Sequence, residues 1–169
     1  MKRQLLSIIL SCALCLGLFP QTAFAADGGV GSGGDIYENT TDISQIFGNN
    51  NATLDPSTNT ITLINNVTVS SSVQFKSGEW TLNLNNYTLR GKNGEVNQDG
   101  THAVRVENGT LTIQGPGTLY GGDGGLCGGS LTSREGWDGS ALYVTSDGVV
   151  EIGADVTIKN KGSDNANTT

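Results

Sequence analysis

Short apolar–polar alternations that recur along the chain restrict its fold more than any other feature of the sequence. In TLNLNNYTLR, VRVENGTLTIQ and LYVTSDGVVEI, pairs of apolar residues flank one polar or outward residue, as Leu82 and Leu84 flank Asn83 and Val104 and Val106 flank Arg105. This short alternation is typical of strands with one buried face. One such unit cannot bury its apolar face alone, so its copies must stack on one another. The pattern therefore predicts an all-β fold of stacked strands.

Two alignments within the chain give the spacing of these units. Asn65-Asn66 aligns with Asn85-Asn86, twenty residues later. AVRVENGTLTIQGPGTLYG aligns with ALYVTSDGVVEIGADVTIKN when Ala103 is placed on Ala141, thirty-eight residues later, with one extra residue at the turn. Units of this length without amphipathic helices predict a parallel β-helix of about four rungs over residues 42–160. An antiparallel sandwich, which also has short strands and frequent turns, is the alternative.

The first 25 residues have the three parts of a secretory signal peptide. Lys2 and Arg3 precede an apolar stretch from Leu5 to Phe19, and Ala23-Phe24-Ala25 fits an A-x-A cleavage site. A membrane helix is the alternative, and the apolar run is short for one. We therefore expect the protein to be secreted, with no membrane insertion after cleavage.

The charge of the chain argues against two kinds of ligand, and its cysteine content argues against an internal disulfide. Without Lys2 and Arg3, the chain has 7 basic against 16 acidic residues, a net charge of −9. Nucleic-acid binding and adhesion to anionic lipid both need clustered basic residues, so neither is expected. Cys127 is the one cysteine outside the signal peptide, which excludes an internal disulfide.

The sequences that flank the predicted β-helix differ between its N-terminal and C-terminal ends. Residues 26–41 are rich in glycine and predict a flexible leader. Asp42 and Gln45 then predict a short N-terminal capping helix that ends at Gly48. Residues 161–169 predict the start of a further rung or a disordered tail. Because stacked repeats need capping units, we expect a C-terminal continuation or a partner to cover this end.

Three segments also resemble a known group of proteins. WTLNLNNYTLRG, AVRVENGTLTIQGPGTLYGG and ALYVTSDGVVEIGADVTIKN are similar to repeats in secreted right-handed parallel β-helix surface proteins of Gram-positive bacteria, which belong broadly to the pectate-lyase-like superfamily. The resemblance covers roughly residues 60–160 and implies a right-handed β-helix at the surface of a Gram-positive bacterium. This architecture hosts lyases, glycosidases, adhesins and inert spacers, so the resemblance leaves the activity open.

If this chain were a lyase or a glycosidase, its catalytic residues would lie at the outward positions of the strands. The resemblance implies a carboxylate cluster with calcium and a Lys or Arg base in lyases, and paired aspartates in hydrolases. The alignment follows two outward positions: Asn83, Arg105 and Tyr143 at the first, and Asn85, Glu107 and Thr145 at the second. No carboxylate pair results, and His102, the only histidine, has no evident partner. We therefore predict no catalytic residue in this chain.

A glycine-rich segment, GGDGGLCGGSLTSREGWDGS, separates two of the aligned units. It lacks the spacing of a phosphate-binding loop and the ligands of a zinc site. Its removal brings the spacing back to about twenty residues, so we predict a mobile insertion at residues 121–140 that loops out between two rungs. Asp123 and Asp138 are calcium candidates, with solvated loop aspartates as the alternative. No other cofactor is predicted.

Aromatic residues supply the remaining candidates for function. Tyr143 lies at an outward position, and Tyr120 and Trp137 lie beside or within the insertion. Exposed aromatic rings stack on sugars, so these three are the predicted glycan-binding residues. We predict a secreted or cell-surface module with a structural or adhesive role that contacts an extracellular polysaccharide or host glycan. The alternative is the N-terminal part of a polysaccharide lyase or glycosidase whose catalytic residues lie elsewhere.

Overall fold

The part of the chain that the structure describes contains twelve strands and one helical turn, joined by turns and longer connections. The structure is a computed structural model and describes residues 28–126 and 136–160. The predicted signal peptide, Cys127 and the predicted rung or tail at residues 161–169 lie outside the described residues. The strands are β1 (Gly29–Gly31), β2 (Gly34–Ile36), β3 (Ala52–Asp55), β4 (Thr60–Leu63), β5 (Val67–Val69), β6 (Val73–Phe75), β7 (Glu79–Asn83), β8 (Thr88–Gly91), β9 (Val104–Gln114), β10 (Gly117–Tyr120), β11 (Leu142–Ile152) and β12 (Val156–Lys159).

The strands form two sheets, one parallel and one mixed. The first sheet has the order β1-β5-β8-β10-β12, and every pair in it is parallel. The second has the order β2-β6-β9-β7-β4-β3, with β11 on the free side of β9. The long β9 pairs with β6 along its first half and with β7 along its second. The β3–β4 hairpin is antiparallel, and the other described pairs of this sheet are parallel. The chain is thus mostly β, as predicted.

Inward side chains lie above one another because the parallel strands are in register. In the first sheet, Val67, Leu89 and Leu119 occupy one column, and each is almost fully buried. Each buried side chain of this size contributes about 1.5–3 kcal/mol. The second sheet has equivalent columns, such as Ile61, Leu82 and Ile113. The period-two pattern of the sequence therefore becomes one continuous apolar core.

The observed register confirms one predicted alignment and corrects the other. Tyr143 pairs with Arg105 and Ile152 with Ile113, and the single extra residue lies between Val144 and Asp147. The twenty-residue offset is wrong, because Val67 pairs with Leu89, twenty-two residues on. The turn asparagines explain this error. Asn85 and Asn86 have φ values of 48° and 68°, in the left-handed region, and the turn that they form is one residue longer than the turn between β4 and β5.

The predicted N-terminal capping helix is not supported. Only one helical turn, α1 (Ser44–Phe47), is present in this region, and Ile43, which occupies the N-cap position before it, makes no side-chain cap hydrogen bond. A single turn has no intrinsic stability, so burial of Phe47 beside β1 and β5 must hold it in place. Residues 28–41 also differ from the predicted flexible leader, because they contain β1 and β2, the first strands of the two sheets.

Candidate functional site

Four parallel strands of the second sheet place a row of polar side chains on its outer face. Asp35 on β2, Gln74 on β6, Arg105 on β9 and Tyr143 on β11 are level with one another. Neighbouring strands are about 4.8 Å apart, so the row spans roughly 14 Å. The predicted alignment of Arg105 with Tyr143 is confirmed. Asn83 does not lie in this row, because it pairs with Gln114.

Glu107 connects two basic side chains next to this row. Its Oε2 accepts a hydrogen bond from Lys76 Nζ at 2.6 Å, and its Oε1 lies 3.0 Å from Arg105 Nε. The Arg105 Nε atom is inaccessible to solvent and its N–H is not aligned on a hydrogen-bond acceptor, so this second contact is an ion pair only. The hydrogen bond from Lys76 lowers the pKa of Glu107, and the same bond raises the pKa of Lys76. Glu107 and Lys76 therefore form an ion pair at neutral pH.

Tyr143 is the aromatic member of the row and has a defined orientation. Its ring stacks on His102 with centroids 5.2 Å apart and an interplanar angle of 23°. The Arg105 Cζ atom lies 5.3 Å from the Tyr143 ring centroid, within range of a cation–π interaction. The tyrosine nevertheless remains 43% exposed. The contacts with His102 and Arg105 therefore hold the Tyr143 ring in place, while part of the residue stays accessible to solvent. We call Tyr143, His102 and Arg105 the aromatic platform.

His102 connects this platform to the glycine-rich insertion. Its Nδ1 accepts a hydrogen bond from the backbone N–H of Ser140 at 2.7 Å. Burial lowers the pKa of His102, and the nearby Arg105 guanidinium lowers this pKa further. The neutral form, with Nδ1 free to accept, is thus favoured. This partner was not evident from the sequence because Ser140 is thirty-eight residues away.

The structure does not join the three predicted glycan-binding residues into one site. The Tyr120 ring is covered by Arg90, whose Cζ lies 4.6 Å from the ring centroid. Trp137 is 75% exposed, and its backbone N–H donates to Asp99 Oδ1 at 2.9 Å. Among residues 28–126 and 136–160, no ring contact joins any two of Tyr120, Trp137 and Tyr143. Tyr143 alone belongs to the charged row.

The calcium candidates Asp123 and Asp138 have other partners in the structure. Asp123 Oδ2 accepts from Arg90 at 3.0 Å, so a guanidinium already neutralises this carboxylate. Asp138 Oδ1 accepts from the backbone N–H of Gly124 at 2.7 Å. In the described ranges, no group of three or more His, Cys, Asp or Glu side chains is placed to hold a metal ion. The two carboxylates therefore stabilise the chain around them.

The described part of the insertion packs against the connection between β8 and β9. Four segments lie side by side, residues 91–96, 98–103, 121–126 and 136–141. Backbone hydrogen bonds between these segments recur every three residues. Gly94 N–H donates to the Asp123 carbonyl, and Asn97 N–H donates to the Leu126 carbonyl. In the same way Gly122 donates to Thr101, Gly125 to Gln98, Gly136 to Gly125, and Gly139 to Gly122. Bonds between segments at this spacing are typical of packed polyproline II-like chains, which lack internal hydrogen bonds. We call residues 91–103, 121–126 and 136–141 the glycine bundle.

Glycine is required in the bundle because its backbones are too close for side chains. A Cβ added to Gly125 would lie 1.6 Å from the Glu95 carbonyl oxygen, and one added to Gly122 would lie 2.0 Å from that of Lys92. The prediction that residues 121–140 loop out is therefore wrong for residues 121–126 and 136–140. Glycines at every third position, such as Gly91, Gly94 and Gly100, were the sequence signal that would have revealed this packing.

Two general findings complete the description of the site. No helix within residues 28–126 or 136–160 is long and apolar enough to span a membrane. No family model, curated protein or solved structure matches the chain, so its function has to be argued from its own geometry.

Proposed function

We propose that this chain is a secreted or cell-surface module with a right-handed parallel β-helix fold that binds a glycan at Tyr143. The parallel pairing in both sheets and the continuous inward columns support the β-helix. The sequence resemblance supports the handedness and the location outside a Gram-positive bacterium. The platform formed by Tyr143, His102 and Arg105 supports the binding role.

A sugar ring offers two kinds of surface, and this platform complements both. Its apolar C–H face stacks on an aromatic ring, and its hydroxyl groups bond to polar groups beside that ring. The solvent-exposed part of Tyr143 supplies the first contact. Arg105, Glu107 and Gln74 lie on the same outer face and supply donors and acceptors. The row of side chains is long enough for more than one sugar unit of an extracellular polysaccharide or host glycan.

Tyr143 is favoured over Tyr120 and Trp137 because it is 43% exposed while its ring also contacts His102 and Arg105. Tyr120 is less suitable because it is partly buried, whereas Tyr143 is exposed. Trp137 is more exposed, but its hydrogen bonds to Asp99 and Gly100 use its backbone and leave its ring without a described neighbour to orient it. Tyr143 lies on a strand and is held by two neighbours, so less conformational entropy is lost when a sugar binds.

Affinity measurements on matched variants test this site. The purified chain is titrated with a panel of neutral and acidic polysaccharides, and the tightest ligand is then used for Tyr143→Ala, Tyr143→Phe and Trp137→Ala. We expect Tyr143→Ala to weaken binding by roughly 5- to 30-fold, since stacking and apolar burial of the ring together contribute about 1–2 kcal/mol. Tyr143→Phe keeps the ring and is the control, with affinity within about threefold of the parent.

Three results would contradict the proposal. Undiminished binding by Tyr143→Ala would exclude the platform, and loss of binding in Trp137→Ala alone would place the glycan on the bundle instead. Release of unsaturated products or of reducing ends during the titration would instead support the alternative, a lyase or glycosidase.

A further inference from the structure

A polar groove lies on the outer face of the second sheet, beside the second half of β9. It has a volume of about 590 Å³ and is lined by outward side chains of β7, β9 and β11 and by the turn between β3 and β4. Thr81, Thr112 and Glu151 are level with one another on the three strands, and Glu79 is level with Thr110. Because neighbouring strands are about 4.8 Å apart, the three level residues span roughly 10 Å, which is wide enough for a sugar ring.

One side of the groove is formed by the turn between β3 and β4, which is fixed to the sheet. Asn59 Nδ2 donates to the Glu79 carbonyl at 3.2 Å, and the Thr81 N–H donates to the Asn59 carbonyl at 3.0 Å. At the other end of the turn, Asp55 Oδ1 accepts from the backbone N–H of Ser57 at 2.9 Å and from its hydroxyl at 2.6 Å. Because the turn is held at both ends, little ordering is needed when a ligand enters the groove.

The polar side chains on the strands of this groove are not used by the rest of the described chain. Within residues 28–126 and 136–160, the hydroxyl groups of Thr81, Thr110 and Thr112 and the carboxylates of Glu79 and Glu151 make no hydrogen bond or ion pair. The two charged side chains of the lining are both acidic, and its described residues include no lysine, arginine or histidine. The groove therefore offers hydroxyl groups and negative charge to a ligand.

We infer that this groove binds an amino sugar with a free, protonated amine, as a unit of a deacetylated polysaccharide. The threonine hydroxyls bond to the sugar hydroxyls, and the two carboxylates attract the ammonium group and repel an acidic sugar. A basic peptide fits less well. Both β7 and β9 are paired on each side and offer no free edge, and Trp80 is only 2% exposed, so no apolar pocket is open. The aromatic platform lies beside the first half of β9, so this site does not rest on Tyr143.

Calorimetric titration of the purified chain with a glucosamine hexasaccharide tests this site at about pH 5.5, where sugar amines are protonated and glutamates are ionised. The N-acetylglucosamine hexasaccharide has the same backbone without the charge and should bind roughly fivefold or more weakly. Glu79→Gln and Glu151→Gln should each weaken binding of the charged sugar by roughly 2- to 5-fold, and the double variant should bind both sugars equally. Thr112→Val, which removes one hydroxyl, should weaken it by roughly 2- to 10-fold. Glu95→Gln is the matched control, since it removes the same charge from the glycine bundle, outside the groove, and should leave the affinity unchanged.

Four results would overturn the inference, with far-UV circular dichroism to confirm that each variant is folded. The first is that the unchanged chain does not bind the glucosamine hexasaccharide or binds both hexasaccharides equally. The second is an equal loss in Glu95→Gln, which would show that net charge rather than the groove attracts the sugar. The third is equal affinity for a hexalysine peptide, which would make the occupant a peptide. The fourth is a loss in Tyr143→Ala without a loss in the groove variants, which would place the sugar on the aromatic platform and leave the proposed function standing.

Discussion

The replacement of Gly122 by alanine tests the glycine bundle most severely. Gly122, in the segment of residues 121–126, contacts all three of the other segments. Its N–H donates to the Thr101 carbonyl at 2.9 Å, and its carbonyl accepts from Gly139 at 2.7 Å. A Cβ at this position would lie 2.0 Å from the Lys92 carbonyl oxygen. Carbon–oxygen contacts need about 3.3 Å, so the segments must separate by roughly 1.3 Å.

The cost of this separation can be estimated from the contacts that it disturbs. Overpacking costs about 1–3 kcal/mol, and each of the two strained hydrogen bonds contributes about 0.5–1.5 kcal/mol. The lower flexibility of alanine in the unfolded chain offsets about 0.4–1 kcal/mol. We therefore expect Gly122→Ala to destabilise the bundle by about 2–4 kcal/mol, which corresponds to a roughly 30- to 700-fold change in an opening equilibrium.

Native-state hydrogen exchange is the appropriate assay, because the bundle can open without unfolding the sheets. The backbone amides of Gly94, Gly125 and Gly139 should exchange faster by that factor, while the amide of Leu111 in β9 should not change. Gly28→Ala is the control, since the nearest atom to its added Cβ is 3.4 Å away. If Gly122→Ala exchanges no faster than Gly28→Ala, the segments are not packed backbone to backbone.

Three further predictions concern the core, a turn and pH. Leu111→Ala should lower the free energy of urea unfolding by about 2–5 kcal/mol because Leu111 is fully buried. Val149→Ala should change this free energy by less than about 0.5 kcal/mol. Similar losses in both variants would contradict the assignment of Leu111 to the core and of Val149 to the outer face. Asn85→Ala should cost about 1–3 kcal/mol and Asn85→Gly less, because both lose the bond to Leu63 but only alanine strains the φ of 48°; equal costs would refute the strain argument. The folded-state pKa of His102 lies below the ordinary 6.5, so the unfolded chain binds more protons between the two values. Stability should therefore be full above pH 6.5, decline as the pH falls from 6.5 to the folded-state pKa and then level off, and His102→Gln should remove this decline. A thermal-melting profile of the parent that is flat across this interval would contradict the burial of His102 beside Arg105.

Side-chain burial was predictable from the sequence because it follows a simple period. The alternation in β9 and β11 determined which residues face inward, and the alignment of Ala103 with Ala141 gave the correct register, including its one-residue shift. The offset between β5 and β8 was not predictable in the same way. It depends on the left-handed turn at Asn85 and Asn86, and matching the Asn-Asn letters does not show how many residues that turn uses.

Interactions between backbones and between distant segments were harder to predict. The glycine bundle is held by backbone contacts, so no hydrophobic pattern marks it, although the three-residue spacing of Gly91, Gly94 and Gly100 was available. The candidate site was predictable in part, since Arg105 and Tyr143 were expected to be level and are. The pairing of Glu107 with Lys76 was missed, because Lys76 lies between β6 and β7, outside the aligned units.

Chemical-shift mapping with the tightest-binding glycan tests the central claim most directly. Backbone amide signals of the labelled chain are recorded as the glycan is added, and each shift is assigned to a residue. We predict that the largest changes occur at His102, Arg105, Glu107 and Tyr143 on the outer face of the second sheet. Changes confined to Trp137 and its neighbours in the glycine bundle, or no changes with any glycan of the panel, would contradict the claim.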